Sequence, residues 1–225
     1  MNSHLHIHAV IFDMDGLMFD TERIAQKVWQ QAALEYGYNF PEETYRGVIG
    51  RKLPDVRKFI YQQFGADFPF DQVYHRKQQL LDIYIINQGI PVKPGLFDLL
   101  EKIETRSLPI AVASSSSRQI ILNNLSVAGI DAGRFQAIVG GDEISKGKPA
   151  PDIFLAVANQ LHTETNKCLV LEDSNAGILA AHAAGMVPVM VPDMIPPEAE
   201  TLRLAYCILP DLQVVNRELF SENGG

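Results

Sequence analysis

Val10-Ile11-Phe12-Asp13-Met14-Asp15-Gly16-Leu17-Met18-Phe19-Asp20-Thr21 is the stretch whose reading decides the fold. Ala9 to Phe12 is an unbroken apolar run of strand length and reads as a buried strand. It stops at two aspartates separated by one residue, with glycine next. Carboxylates at the end of a buried strand are costly unless something compensates them. A bound cation would do so, and Mg²⁺ prefers oxygen ligands. A polar turn after a core strand is the other reading, because Asp and Gly are common turn residues.

Working outward, the period changes after Asp20. Ile24, Val28, Ala32 and Tyr36 recur every four residues, with Ala25, Trp29 and Ala33 beside them, which predicts a helix ended by Gly37. Pro41 to Tyr45 predicts a short helical turn. Val56, Phe59, Ile60 and Phe64 follow at helical spacing behind Pro54. A further helix opens at Asp71, with Val73, Leu80, Leu81, Tyr84 and Ile85 on its apolar side. Residues 21–92 are therefore expected to form a small helical domain inserted after the first strand. Residues 1–20 and 93–225 are expected to form the core domain.

Beyond Pro91-Val92-Lys93-Pro94-Gly95 the chain alternates helix and strand. Apolar runs at Pro109–Ala113, Ala137–Val139, Cys168–Leu171, Val187–Val191 and Cys207–Leu209 read as strands, with helices between the first four of them. Alternation with short connections implies an α/β fold, a doubly wound parallel sheet covered on both faces. In such sheets ligands bind at the carboxyl ends of the strands. The polar signals obey that rule: Asp13 and Asp15 follow one strand, Ser114 another, Glu172 and Asp173 a third.

Each signal has an ordinary structural reading beside the functional one. Ser114-Ser115-Ser116-Ser117 is either a helix N-cap or, through Ser114, Ser115 and the backbone N–H groups of a helix start, a phosphate site. Lys146 and Lys148 are either solvated cations or, for Lys148, a side chain aimed by the prolines around it at phosphate and carboxylates. Glu172-Asp173 exceeds what an N-cap requires, and metal ligation is the better account. Together these residues support phosphoryl transfer. Asp13 would be the nucleophile, forming an aspartyl-phosphate. Asp15 would protonate the leaving oxygen and then activate water. Mg²⁺ between Asp13, Asp173 and the phosphate would offset the repulsion among the acids. Ser114 and Lys148 would hold the phosphoryl oxygens.

In this order and spacing the four motifs resemble the haloacid dehalogenase superfamily, in its capped phosphatase and β-phosphoglucomutase-like branch. Asp13-Met14-Asp15-Gly16-Leu17-Met18-Phe19-Asp20-Thr21, Ser114, Lys148 within Gly147-Lys148-Pro149, and Glu172-Asp173-Ser174 with Gly177 carry the resemblance. It implies a Rossmann-like core, a helical cap, Mg²⁺ dependence and hydrolysis of a small phosphorylated metabolite, a sugar phosphate or nucleotide-type phosphomonoester. It also implies that Asp13, Asp173 and the backbone carbonyl of Asp15 ligate the metal, with Glu172 as ligand or close behind. The dehalogenases of the superfamily lack the second aspartate, so Asp15 argues for phosphate chemistry. A phosphomutase is the alternative, but the mutases carry a histidine near the position of Ala25, and no histidine lies between His8 and His75. A phospho-aspartate receiver module is a remote alternative, too short to match this chain and its helical insertion. Arg51, Lys52, Arg76 and Lys77 are cap cations that would face the substrate or simply be solvated, with Arg51 and Arg76 the candidates for substrate binding.

Composition bounds the rest. The chain has 225 residues, 47% of them hydrophobic and 20% charged, enough for a sizeable core. A formal net charge of −8 argues against a nucleic-acid surface. No apolar run reaches the roughly 18–20 residues that span a bilayer. Cys168 and Cys207 sit in apolar runs and read as buried thiols. The expectation is a cytoplasmic monomer without a signal peptide. His4, His6 and His8 alternate before the first strand, as a metal site or as a frayed start.

Overall fold

The computed structural model describes residues 6–49 and 53–220. Arg51, Lys52 and His4 lie outside the described residues. The elements run β1 (Ala9–Phe12), α1 (Thr21–Glu35), α2 (Glu42–Arg46), α3 (Leu53–Phe64), α4 (Phe70–Gln88), α5 (Leu96–Thr105), β2 (Ile110–Ser114), α6 (Arg118–Val127) and β3 (Ala137–Gly140). They continue with α7 (Asp152–Gln160), β4 (Cys168–Glu172), α8 (Asn175–Ala183), β5 (Val187–Met190), α9 (Ala199–Leu204), β6 (Cys207–Ile208) and α10 (Leu212–Phe220). Short 3₁₀ turns lie between some of these, one of them at Gly141–Glu143.

The chain divides into two compact units, one formed by Met1–Phe19 with Val92–Gly225 and the other by Asp20–Pro91. In the first, the described strands form one sheet in the order β3-β2-β1-β4-β5-β6. Every neighbouring pair is parallel. This is a Rossmann-like, doubly wound arrangement in which strand order reverses between β1 and β4. All four residues of β1 are buried. Ala9 and Ile11 join Cys168, Val170 and residues of α7 and α8 in one cluster. Val10 and Phe12 point the other way by strand alternation and are equally buried, so the sheet is covered on both faces. That two-sided burial is why the strands read as continuous apolar runs rather than alternating ones.

The second unit is helical, as its 3.6-residue periodicity dictates. Glu35 on α1 accepts a forked pair of hydrogen bonds from Arg76 on α4, at 2.6 and 3.1 Å. Its core is aromatic: Trp29 stacks on Phe40 at 5.2 Å between ring centroids, and Phe70 stacks on Tyr74.

Two helices go beyond the sequence reading. α9 and α10 occupy a stretch whose apolar spacing is too sparse to identify. α9 buries only Thr201, and α10 only Leu212, Val215 and Phe220. Ser114 is the last residue of β2 rather than the first of the loop.

Candidate active site

Strand register assembles the site. Phe12 pairs with Leu171 on β4 and with Val112 on β2. The next residues along each strand, Asp13, Glu172 and Ala113, therefore emerge together at the carboxyl edge. The Asp13 N–H donates to the Leu171 carbonyl at 3.0 Å, extending the ladder one step past the strand. The chain then turns tightly. Gly16 N–H donates to the Phe19 carbonyl, and the Met18 and Phe19 N–H groups to the Met14 carbonyl. Met14, Leu17, Met18 and Phe19 are buried, which anchors the turn and holds the aspartates at its base.

Lys148 enters from the loop before α7. Its ammonium donates to Asp13 Oδ1 at 2.5 Å, to Glu172 Oε1 at 2.6 Å and to the Ala113 carbonyl at 3.2 Å. It also lies 5.1 Å from the centre of the Phe154 ring. Only 6% of this side chain is exposed, so the ion pairs form away from bulk water. Lys146, two residues earlier, is exposed.

Glu172 is fully buried. Its second oxygen accepts from the Ser174 N–H at 2.7 Å and from the Ser174 hydroxyl at 2.9 Å. That hydroxyl in turn accepts from the Gly177 N–H, capping α8. Ser174 is thus an N-cap and a partner of the acid at once. Two glycines let the acids approach the backbone. A Cβ on Gly177 would lie 1.7 Å from Glu172 Oε1, and one on Gly16 (φ +86°) would lie 2.2 Å from Asp173 Oδ2.

Among the described residues, Asp13, Glu172 and Asp173 are the one group able to hold a metal ion, each with a carboxylate oxygen within 4.8 Å of the others. The donors are all hard oxygens, suited to Mg²⁺. The Lys148 ammonium meets two of these acids, Asp13 and Glu172. Burial pushes the Asp13 carboxyl up to about 8, with Lys148 pulling it down and Glu172 and Asp15 pushing it further up. Burial would pull the Lys148 ammonium down, but Asp13 and Glu172 hold it above its ordinary range. The all-oxygen donor set fits a divalent cation.

Two hydroxyls of the serine run at the end of β2 reach Asp15. Ser116 donates to Asp15 Oδ2 at 2.8 Å, whereas Ser114 approaches the same oxygen only to 3.4 Å. The Ser114 hydroxyl accepts from the Ser116 N–H at 3.1 Å. Ser115 is exposed, and Ser117 caps α6 by accepting from the Ile120 N–H. Sequence reasoning named Ser114 and Ser115 and missed Ser116. No motif marks it, because four identical residues in a row do not reveal which hydroxyl the turn directs at Asp15. Asp13, Asp15, Ser114, Lys148, Glu172 and Asp173 all lie in the sheet-containing unit. Arg76 lies in the helical unit, where its guanidinium is engaged by Glu35.

The family model for haloacid dehalogenase-like hydrolases matches residues 10–191, from β1 to just past β5. The chain belongs to the haloacid dehalogenase-like hydrolases. Among relatives of this hydrolase, a Drosophila melanogaster protein named "Probable pseudouridine-5′-phosphatase" is 32% identical over 188 residues, covering 81% of this chain and 80% of that one. A phosphorylated carbohydrates phosphatase of Thermotoga maritima is 28% identical over 184 residues, covering 80% of this chain and 82% of the relative. Among solved structures, a haloacid dehalogenase family hydrolase of Deinococcus radiodurans with bound phosphate and sodium superposes with a TM-score of 0.78. It is 26% identical, and the match covers 96% of each chain.

Proposed function

We propose that the chain is a Mg²⁺-dependent phosphomonoester hydrolase acting on a small phosphorylated metabolite, a sugar phosphate or a nucleotide-type monoester, through an aspartyl-phosphate on Asp13. The observation that carries this reading is the pair of aspartates at the end of β1 with different partners. Asp13 sits against Lys148, and Asp15 sits against the Ser116 and Ser114 hydroxyls. Two carboxylates in different environments can hold different roles, one as nucleophile and one as proton carrier. The names of the phosphatase relatives agree with that chemistry.

Asp13 attacks phosphorus, and the ester oxygen departs. Asp15 gives that oxygen its proton and later takes one from the water that cleaves the acyl phosphate. Lys148 and Ser114 hold phosphoryl oxygens, with Ser115 at the rim, and Glu172 keeps Lys148 in place. Asp13, Asp173 and the Asp15 carbonyl would hold Mg²⁺, with Glu172 behind them. When bound, the cation supplies charge neutralisation between the acids and the phosphate dianion. The helical unit, Asp20–Pro91, would act as the cap that selects the substrate, with Arg51 and Arg76 as candidate contacts.

The test is phosphate release from a panel of sugar phosphates, nucleotides and p-nitrophenyl phosphate with Mg²⁺. Turnover is expected with Mg²⁺ and not with EDTA, and Asp13→Asn is expected to lose activity by about a thousandfold or more while remaining folded. Full turnover by Asp13→Asn would remove the nucleophile assignment. Isomerised phosphoester without free phosphate would replace hydrolysis by mutase chemistry.

A further inference from the structure

Asp15 is held from the β2 side by a hydroxyl that lies outside the four motifs. We propose that Ser116 is the positioning residue for Asp15, and that the 3₁₀ turn Gly141–Glu143 fixes Ser116 in its turn, an inference that rests on the phosphatase reading of the site. Ser116 Oγ donates to Asp15 Oδ2 at 2.8 Å, the shorter of the two serine contacts to that oxygen. Anchoring one oxygen restricts rotation of the carboxylate about its Cβ–Cγ bond. A proton donor must lie within hydrogen-bond reach of the departing oxygen, so its orientation bears directly on the rate.

The backbone of Ser116 is fixed independently of its side chain. Its carbonyl accepts from the Gly141 N–H at 2.8 Å. Two residues on, the Arg118 N–H donates to Asp142 Oδ1 at 2.9 Å, and the Arg118 guanidinium donates to the Ile138 carbonyl. Glu143 folds back to accept from the Gly140 N–H at 2.7 Å, which closes the turn on itself. The two backbones are in direct contact. A Cβ on Gly140 would lie 2.3 Å from the Arg118 nitrogen, and a Cβ on Gly141 would lie 2.3 Å from the Ser115 carbonyl oxygen. Gly140-Gly141 thus form the bed on which the serine turn rests, and Asp142 ties that turn's exit into α6. The line of contact runs from Asp142 and Gly141 through Ser116 to Asp15.

The chemistry separates this role from simple support of the fold. In the first half-reaction a bond forms between an Asp13 oxygen and phosphorus, and the bond from phosphorus to the ester oxygen breaks. Asp15 passes its proton to that oxygen, which leaves as a neutral alcohol or phenol, and Asp15 is left as the carboxylate. A p-nitrophenolate can leave without that proton, whereas a phenolate needs it far more. Loss of Asp15 alignment therefore penalises poor leaving groups selectively.

The experiment measures kcat and KM with Mg²⁺ for a series of substituted phenyl phosphates, from p-nitrophenyl to phenyl, in wild type, Ser116→Ala, Ser116→Thr and Asp142→Ala. In Ser116→Ala, kcat/KM is expected to fall about tenfold further for phenyl than for p-nitrophenyl phosphate, giving a steeper dependence on leaving-group basicity. Ser116→Thr keeps the hydroxyl and is expected to restore the wild-type slope. Asp142→Ala is expected to steepen it by a smaller factor. Equal losses across the series, or a rise in KM with an unchanged slope, would overturn the assignment of Ser116. An Asp142→Ala slope equal to wild type would overturn the role of the turn. A wild type that hydrolyses neither this series nor any sugar phosphate or nucleotide would instead remove the phosphatase reading on which the proposal rests.

Discussion

Gly177 and Gly16 show at the scale of single residues how close packing carries the chemistry. Gly177 lies in α8, where alanine would ordinarily gain about 1 kcal/mol of helix propensity. Here the new methyl would meet Glu172 Oε1 at 1.7 Å, and that carboxylate is buried and paired with Lys148. Overpacking of this kind costs about 1–3 kcal/mol. Gly177→Ala is therefore expected to unfold at lower urea than wild type and to lose activity as Lys148 is displaced. A more stable Gly177→Ala would show that the carboxylate has room to move. The thiols give a second residue-level expectation. Burial pushes Cys168 up to about 11 and Cys207 up as well. A thiol raised on folding adds stability below the ordinary thiol range, and that contribution is lost as pH climbs toward 11. At pH 8 a thiolate-specific reagent should leave Cys168 unmodified in the native protein and react with both cysteines in denaturant. Fast native modification of Cys168 would contradict its burial.

At the scale of elements, β1 and β4 carried their own signatures and α10 did not. A strand buried on both faces must be apolar throughout, so Ala9–Phe12 and Cys168–Leu171 were legible, and the acids after them stood out against that background. α10 buries three side chains over nine residues, too few for a distinct stripe. Its place is set by packing: Leu212 is 1% and Val215 0% exposed, and the Arg106 guanidinium donates to the Phe220 carbonyl at 2.9 Å. If that packing is part of the core, Leu212→Ala should cost about 2–5 kcal/mol in urea unfolding. A loss below about 0.5 kcal/mol, as for a surface site, would mean that α10 is peripheral.

For the molecule as a whole, the division into two units predicts how it unfolds. The single tryptophan, Trp29, belongs to the helical unit and is 4% exposed. Its fluorescence reports that unit, while far-ultraviolet circular dichroism reports both. Phe40→Ala removes the ring stacked on Trp29 and should destabilise the helical unit by about 3–5 kcal/mol. The fluorescence midpoint in urea should then fall below the dichroism midpoint, with the two transitions no longer coincident. Transitions that stayed superimposed in Phe40→Ala would mean that the two units unfold as one. The sequence by itself determined the fold class and most of the acidic site, because a buried strand, an amphipathic helix and a carboxylate at a strand end are local patterns with local causes. Tertiary structure alone decided which of four adjacent serines reach Asp15, and that Lys148 bridges Asp13 and Glu172. Those facts depend on distances between segments 24 to 135 residues apart in the chain. Only strand register and the packing of one backbone against another set such distances, and no local pattern in the sequence encodes them.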